Sequence, residues 1–275
     1  MPELPEVEVI RRQLQRQVLG ARIVAADSHW SDKFTPALDA VGTAIESVDR
    51  RGKYLLFALD DGNELIAHLG MTGSFHIDSS PHHDDPPSCD AHGTHTRAVW
   101  ALADGRQLVF DDTRRFGRLR VVAAGEYETI ATLHHMGPEP LTDAFSGASL
   151  HRAIQGRSRA IKTQLLSQRP VAGVGNIYAD EALFLAGIDP RAKRVGRERC
   201  DELATRIKEV LERGLANGGT TLRDYVNAEG ETGQNQHTLH AYGKGGEPCP
   251  RCAEPFSTVV LDGRTTTYCR KCQKR

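Results

Sequence analysis

Two stretches of this 275-residue chain have residue types and spacing suited to chemistry: Met1-Pro2-Glu3 at the start and four cysteines near the end. Removal of Met1, which a small second residue such as Pro2 permits, leaves a secondary amine next to a carboxylate. A free α-amine has an unperturbed pKa of about 8, so near neutral pH a useful fraction is unprotonated and nucleophilic. A secondary amine that condenses with an aldehyde-like sugar carbon gives an iminium of fixed positive charge, an electron sink that needs no proton. Glu3 is then a candidate proton donor or acceptor. Taken alone, Met-Pro-Glu also describes an ordinary free chain end.

Cys249-Pro250-Arg251-Cys252 and Cys269-Arg270-Lys271-Cys272 are two C-x2-C knuckles with 16 residues between them. That spacing sets four thiolates tetrahedrally around zinc, and an all-cysteine set leaves no open position for catalysis. One structural zinc ion is therefore expected, with no catalytic metal or organic cofactor. Cys89 and Cys200 lie far apart in sequence and read as free thiols. Val259 to Asp262, Gly263 and Thr265 to Tyr268 read as a hairpin between the knuckles, with Arg264 near its tip either holding a phosphate or solvated.

Three further stretches could touch a polyanion. Gly173-Val174-Gly175-Asn176 opens a helix whose positive end, with the Asn176 amide, can receive a phosphodiester, although such glycines also serve tight packing. Arg114-Arg115-Phe116-Gly117 pairs cations with an aromatic that can fill the gap left by an extruded base, or forms a surface basic turn with one buried ring. His68-Leu69-Gly70-Met71-Thr72-Gly73 sets a methionine on a glycine-flanked turn, for insertion or for core filling.

These residues must be positioned by the elements around them. Pro5, the nearby acidic residues, Val7, Ile10, Leu14 and Val18 at helical spacing and Gly20 as a stop describe an amphipathic helix that anchors the amino terminus. From Ala21 to about Val122 the pattern becomes short β-rich runs: 22–26, 44–49, 54–59, 64–68, 98–103, 107–110 and 118–122. Asp60-Asp61-Gly62 and Ala103-Asp104-Gly105 mark hairpins between them, and six or more such strands suggest a β-sandwich or barrel. The run from His76 to His95, with five histidines and Cys89, reads as a mobile surface loop rather than a metal site, because its spacing is irregular. After a Gly/Pro-containing link over 137–146 the period turns helical, with candidate helices at 150–155, 160–168, 176–186 and 201–216.

The formal net charge is −1, but it divides into −7 over residues 1–140 and +6 over 141–275. A basic second half beside an acidic scaffold suits a polyanion-binding module. No apolar run approaches the roughly 20 residues of a membrane span and no signal-peptide pattern is present, so a soluble cytoplasmic protein is expected, with no membrane partner.

Taken together, these motifs resemble the formamidopyrimidine-DNA glycosylase (Fpg/MutM) family of bifunctional base-excision repair enzymes. The resemblance runs nearly end to end and in order: Pro2-Glu3-Leu4-Pro5-Glu6-Val7-Glu8, Arg51-Gly52-Lys53-Tyr54-Leu55, His68 to Gly73, Arg114 to Gly117, Gly173-Val174-Gly175-Asn176-Ile177-Tyr178, Gly218-Gly219-Thr220-Thr221-Leu222 and the four-cysteine ribbon. It implies an α+β multidomain chain: an N-terminal catalytic β-sandwich with flanking helices over 1–136, a helix-two-turn-helix DNA-binding domain over 137–240 and a zinc finger over 241–275. Duplex DNA is expected in the cleft between domains, and the protein is expected to be a monomer in the bacterial cytoplasm, with the chromosome. The resemblance also implies roles: Pro2 as the nucleophile at C1′, Glu3 as proton donor to the opening sugar, Lys53 as proton donor for β-elimination and phosphate clamp, and Arg264 in phosphate binding and δ-elimination. Glu6 is implied in the lesion pocket. Met71, Arg114 and Phe116 match residues that occupy the void of a flipped base, Arg114 facing the orphaned cytosine, and His68, His95, Arg157, Asn176 and Tyr242 match positions near DNA.

The sister branch, endonuclease VIII, favours oxidised pyrimidines and usually begins Pro-Glu-Gly-Pro. Leu4 in place of that glycine, with the Met/Arg/Phe set, points instead to 8-oxoguanine and formamidopyrimidines. The polar stretch Asn227 to Leu239, where the family has its base-covering loop, lacks the aromatic often found there. Two competing readings are a damaged-DNA-binding protein without catalysis, in which changing Pro2 or Glu3 alters nothing, and a zinc-ribbon regulator that reads a specific sequence.

Overall fold

Pro5 in the first turn and the spacing of Val7, Ile10, Leu14 and Val18 produce the first helix, α1 (Leu4–Val18). Those four side chains are fully buried and join the core of the strand-rich part that follows. The computed structural model describes residues 1–80 and 86–275. After α1 come β1 (Ile23–Ser28), a 3-10 turn (Thr35–Ala40), β2 (Ile45–Arg51), β3 (Tyr54–Leu59), β4 (Asn63–His68), β5 (Gly73–Asp78), the single turn α2 (Cys89–His92), β6 (Thr96–Leu102), β7 (Gln107–Asp112) and β8 (Arg118–Ala123).

The strands form two antiparallel four-stranded sheets, β1-β6-β7-β5 and β2-β3-β4-β8. Alternation sends Phe57, Phe75, Trp100 and Phe110 inward, where they form the centre of one core with the apolar face of α1. Phe75 stands 4.8 Å from Phe110 and 5.6 Å from Phe57, centroid to centroid. The expected sandwich is present, with hairpins at Gly62 (φ 84°) and Gly105 (φ 89°) as the Asp-Gly signals indicated.

The His76–His95 reading needs correction. His76 lies inside β5, opposite Val109, and Phe75 and Ile77 supply the alternation, which is short and is followed by a polar run that masks it. His92 ends α2, where its Nε2 lies 2.7 Å from Gln107 Oε1. His82 and His83 lie outside the described residues. Cys89 and Cys200 are free and buried.

Residues Met1–Leu133 and Asn217–Gln234 form one spatial unit, and His134–Ala216 with Asn235–Arg275 form the other. The segment Asn217–Gln234 belongs with α1 for hydrogen-bonding reasons. Thr220 donates its N–H to Glu6 Oε1 at 2.7 Å, Ala228 donates to Gln13 Oε1 at 2.9 Å, and Gln13 Nε2 donates to Glu229 at 2.9 Å. Units built on such contacts need not be contiguous in sequence.

The second unit carries α4 (Gly147–Ile154), α5 (Ile161–Leu166), α6 (Asn176–Leu185) and α7 (Arg197–Ala216), preceded by the turn α3 (Ala131–His134). A 3-10 turn (Asn235–Thr238) leads to the hairpin β9 (Ser257–Leu261) and β10 (Arg264–Tyr268). A buried ion pair ties that hairpin to the helices: Lys162 Nζ on α5 lies 2.6 Å from Asp180 Oδ1 on α6 and donates to Thr266 Oγ1 on β10 at 2.9 Å. Asp180 Oδ2 accepts the Thr267 N–H at 3.0 Å, so the pair clamps two residues of β10. Among the described residues no helix is long and apolar enough to cross a membrane.

Candidate active site and metal centre

At the start of α1, Glu3 and Glu6 cap each other. The Glu3 carboxylate accepts the Glu6 N–H, and Glu6 Oε2 accepts the Glu3 N–H at 2.8 Å. This reciprocal arrangement satisfies two of the helix's orphan amides and fixes the direction in which the chain enters it. Pro2, Glu3 and Glu6 are all buried, while Met1 is 45% exposed. Glu6 serves a second partner, since its other oxygen accepts from Thr220, and the Tyr225 hydroxyl reaches the Gly218 carbonyl at 3.3 Å beside it. Burial and the Glu6 charge push the Tyr225 phenol well above its ordinary range, so it stays protonated.

Lys53 occupies the two-residue turn between β2 and β3, where Gly52 supplies a φ of 57°. A positive φ at the first central position suits a tight hairpin and favours glycine. Arg50 ties this turn to α1: its Nε donates to Glu8 Oε2 at 3.1 Å and its Nη1 to the Gly52 carbonyl at 3.0 Å. Burial alone would raise the Glu8 carboxyl, but hydrogen bonds from Arg11 and Arg12 and the charges of Arg11 and Arg50 hold it below its usual value. One helix thus organises both Pro2-Glu3 and the Lys53 turn.

Strand register gathers the remaining DNA-facing candidates of this unit at one end of the sandwich. Arg51 pairs with Tyr54, Tyr54 with His68 and His68 with Arg118 across one sheet; Gly73 pairs with Asp112, and Thr96 with Asp111, across the other. The loops leaving these rows carry Lys53, Met71, His95, Arg114 and Phe116. Met71 is 38% exposed and Phe116 49%, and Arg114 lies over the Phe116 ring at 5.0 Å. The two loops interlock, because a Cβ on Gly70, already at φ 61°, would stand 2.4 Å from the Phe116 backbone.

His68 is held neutral. Burial, then the charges of Lys53 and Arg118, push its pKa down to about 4, and its Nδ1 accepts the Gly70 N–H at 3.1 Å. A neutral imidazole that accepts at Nδ1 carries its proton on Nε2, which makes it a hydrogen-bond donor at neutral pH without a charge.

In the second unit, Gly173 takes φ 78° and donates to Gln168 Oε1 at 2.8 Å, while Gln168 Nε2 donates to the Val174 carbonyl at 2.7 Å. The buried glutamine therefore shapes the loop that delivers Asn176 to the first position of α6. Asn176 Nδ2 donates to the Thr265 carbonyl at 3.3 Å, next in sequence to the exposed Arg264. Asp262 at φ 47° and Gly263 at φ 71° make the two-residue hairpin turn that presents Arg264. Tyr242 is placed by Glu181, a fully buried carboxylate that accepts the N–H groups of His240, Ala241 and Tyr242. Although burial acts to raise Glu181, the His240 side chain and these amides keep it ionised below its usual value. Arg157 is exposed and lines an open groove of about 530 Å³ with His151, Lys193 and Arg194.

The four cysteines converge. Their Sγ atoms all lie within 4.8 Å of one another, with Cys249 to Cys272 at 3.9 Å and Cys252 to Cys269 at 3.5 Å. A tetrahedron with Zn–S bonds of about 2.3 Å needs S···S separations of roughly 3.8 Å, so the donor set fits zinc and leaves no place for a substrate ligand. The Cys272 N–H donates to Cys269 Sγ at 3.4 Å, orienting that ligand.

Sequence reading missed Asp112, Arg97, Glu181 and Tyr225. Asp112 did leave a signal: it continues the inward-facing series Leu108 and Phe110, so a carboxylate stands where alternation calls for an apolar side chain.

Comparison with known proteins matches the chain to three family models: the formamidopyrimidine-DNA glycosylase N-terminal domain over residues 1–119, the formamidopyrimidine-DNA glycosylase H2TH domain over 136–226, and the zinc finger found in FPG and IleRS over 246–275. A formamidopyrimidine-DNA glycosylase of Teredinibacter turnerae is 44% identical over 280 residues, covering 99% of this chain and 100% of the relative. The crystal structure of MutM (Fpg) from Thermus thermophilus superimposes with a TM-score of 0.88 at 43% identity, covering 99% of this chain and 98% of that one. Lactococcus lactis Fpg in complex with abasic-site DNA gives 0.86 at 32% identity, covering 99% and 100%.

Proposed function

This chain belongs to the formamidopyrimidine-DNA glycosylase family, and from that premise we propose how its own residues share the reaction. The protein is a base-excision repair DNA glycosylase with the AP-lyase activity characteristic of the family, and it holds one structural zinc ion on Cys249, Cys252, Cys269 and Cys272. The observation that carries the reading is the reciprocal Glu3/Glu6 cap, which fixes buried Pro2 and Glu3 at the head of a helix that Arg50 also ties to the Lys53 turn.

In the chain that begins at Pro2, the secondary amine attacks C1′ of the damaged nucleoside and the bond from C1′ to the base breaks. The base departs with the electron pair of that bond and takes up the proton that the amine nitrogen loses. Glu3 delivers a proton to the sugar oxygen as the ring opens, leaving an iminium between Pro2 and C1′. The iminium draws electrons from C2′, and Lys53 then Arg264 serve the β- and δ-eliminations that cut the strand. Extrusion of the base costs a few kcal/mol. Met71, Arg114 and Phe116 offset it by filling the vacated space, Arg114 facing the orphaned cytosine. His68, His95, Arg157, Asn176 and Tyr242 hold the DNA backbone, His68 as a neutral donor. Glu6 shapes the lesion pocket. The lesions are oxidised purines, 8-oxoguanine and formamidopyrimidines, in duplex DNA, and the protein acts as a monomer on the chromosome in the bacterial cytoplasm.

A base-release panel tests the substrate class. With 8-oxoguanine, formamidopyrimidine and oxidised pyrimidines in the same duplex, the two purine lesions should be released at least tenfold faster. Equal or faster release of the pyrimidines would overturn the assignment.

A further inference from the structure

Asp112 sits at the end of β7, fully buried, and all four of its polar atoms are engaged with loops that carry the DNA-facing residues. Its N–H donates to the His95 carbonyl at 2.9 Å. Its carbonyl accepts Arg97 Nε at 3.0 Å, and Arg97, itself buried, brackets His95 by donating to the carbonyls of Thr94 at 3.0 Å and Thr96 at 3.2 Å. The carboxylate is divided between the other two loops. Oδ1 accepts the Thr72 hydroxyl and Oδ2 accepts the Gly117 N–H, both at 2.6 Å. Thr72 passes the link on, since its oxygen accepts the Arg114 N–H at 3.0 Å.

Met71 precedes Thr72, Phe116 precedes Gly117, and Arg114 is bonded through Thr72. One carboxylate thus sets the mutual position of Met71, Arg114 and Phe116, and its backbone adds His95. Both carboxylate bonds are short, as charge-assisted hydrogen bonds are, and two of the three side chains they locate are apolar groups left substantially exposed. A side chain that must enter a duplex needs its geometry supplied from beneath, by groups whose own positions are settled.

We propose that Asp112 is the positioning residue for base extrusion, holding the Met71, Arg114 and Phe116 loops in register without touching DNA. This rests on the role assigned above to those three side chains. Removal of the link should therefore separate two reactions of one enzyme. Release of an intact lesion requires extrusion, whereas cleavage at an abasic site made beforehand has no base to extrude.

The experiment compares full-length, zinc-loaded wild type with Thr72→Val, Thr72→Ser and Asp112→Ala. Single-turnover release of 8-oxoguanine opposite cytosine is measured beside strand cleavage at a preformed abasic site, and 2-aminopurine next to the lesion reports unstacking by fluorescence. Thr72→Val keeps the side-chain shape and deletes the link. Its ratio of release to abasic cleavage should fall about tenfold with a smaller unstacking signal, while Thr72→Ser restores both. Asp112→Ala should lower the ratio further; if it does not fold, the threonine pair decides. A Thr72→Val enzyme with the wild-type ratio, or with both reactions reduced equally, overturns the inference. If wild type itself releases no 8-oxoguanine, the underlying reading fails instead.

Discussion

Replacement of His68 by Asn should remove a defined part of the protein's acid sensitivity. The folded protein holds the imidazole at about 4 against 6.5 in an unfolded chain, so between those values the unfolded state binds a proton that the folded state does not. Stability from this site is complete above about pH 6.5 and is lost as pH falls towards 4. The full shift corresponds to about 3 kcal/mol, and partial exposure of the ring screens this to about 2 kcal/mol by pH 4.5. Asn offers an oxygen to the Gly70 N–H in place of Nδ1 and has no proton to gain. Urea unfolding followed by tryptophan fluorescence isolates the effect, because the only two tryptophans, Trp30 and Trp100, both lie in the unit that contains His68. Between pH 7.5 and 4.5 wild type should lose about 2 kcal/mol more than His68→Asn. The contact of the His68 ring with Tyr54, 4.7 Å between centroids, is lost at both pH values and cancels. Equal acid losses in the two proteins would refute the reasoning.

Glu6→Gln leaves an amide NH2 facing one of the two N–H groups the carboxylate now accepts, and an unsatisfied buried donor costs about 1–3 kcal/mol; unfolding by urea should show that loss, with slower lesion release. Lys162→Met strands the buried Asp180 and should destabilise the second unit by about 3–5 kcal/mol, whereas the double change with Asp180→Leu recovers most of it; circular dichroism during urea titration measures both. Zinc removal by a chelator, or Cys269→Ala, should abolish strand cleavage while the tryptophan unfolding transition of the first unit stays where it was, checked against measured zinc content.

Periodic and metal-spaced features were legible in the chain. Val7, Ile10, Leu14 and Val18 announced α1, alternation announced seven of the eight sandwich strands, and the knuckle spacing announced the four converging thiols. Polar anchoring was not legible, because it depends on which loops meet. Gly117 follows Asp112 closely, but Thr72 and His95 lie well before it in sequence, and only the pairing of β5 and β6 with β7 in one sheet brings them to its carboxylate and N–H. Tyr225 and Glu181 were missed for the same reason: a buried carboxylate that accepts three backbone N–H groups looks, in sequence, like any acidic residue on a helix. β5 was hidden by its neighbour, since a short apolar-polar alternation followed by a histidine- and proline-rich run gives a weak signal.

The most direct test of the account is covalent trapping. The chain beginning at Pro2 is mixed with a duplex containing 8-oxoguanine opposite cytosine, reduced with borohydride, and the adduct located by mass spectrometry of the digested complex. The account predicts one protein–DNA adduct, on the Pro2 nitrogen, absent when Met1 is retained, weakened by Pro2→Gly, whose primary amine condenses without giving a fixed-charge iminium, and abolished by Glu3→Gln. An active, zinc-loaded preparation that yields no adduct, or an adduct on a lysine instead, would contradict it.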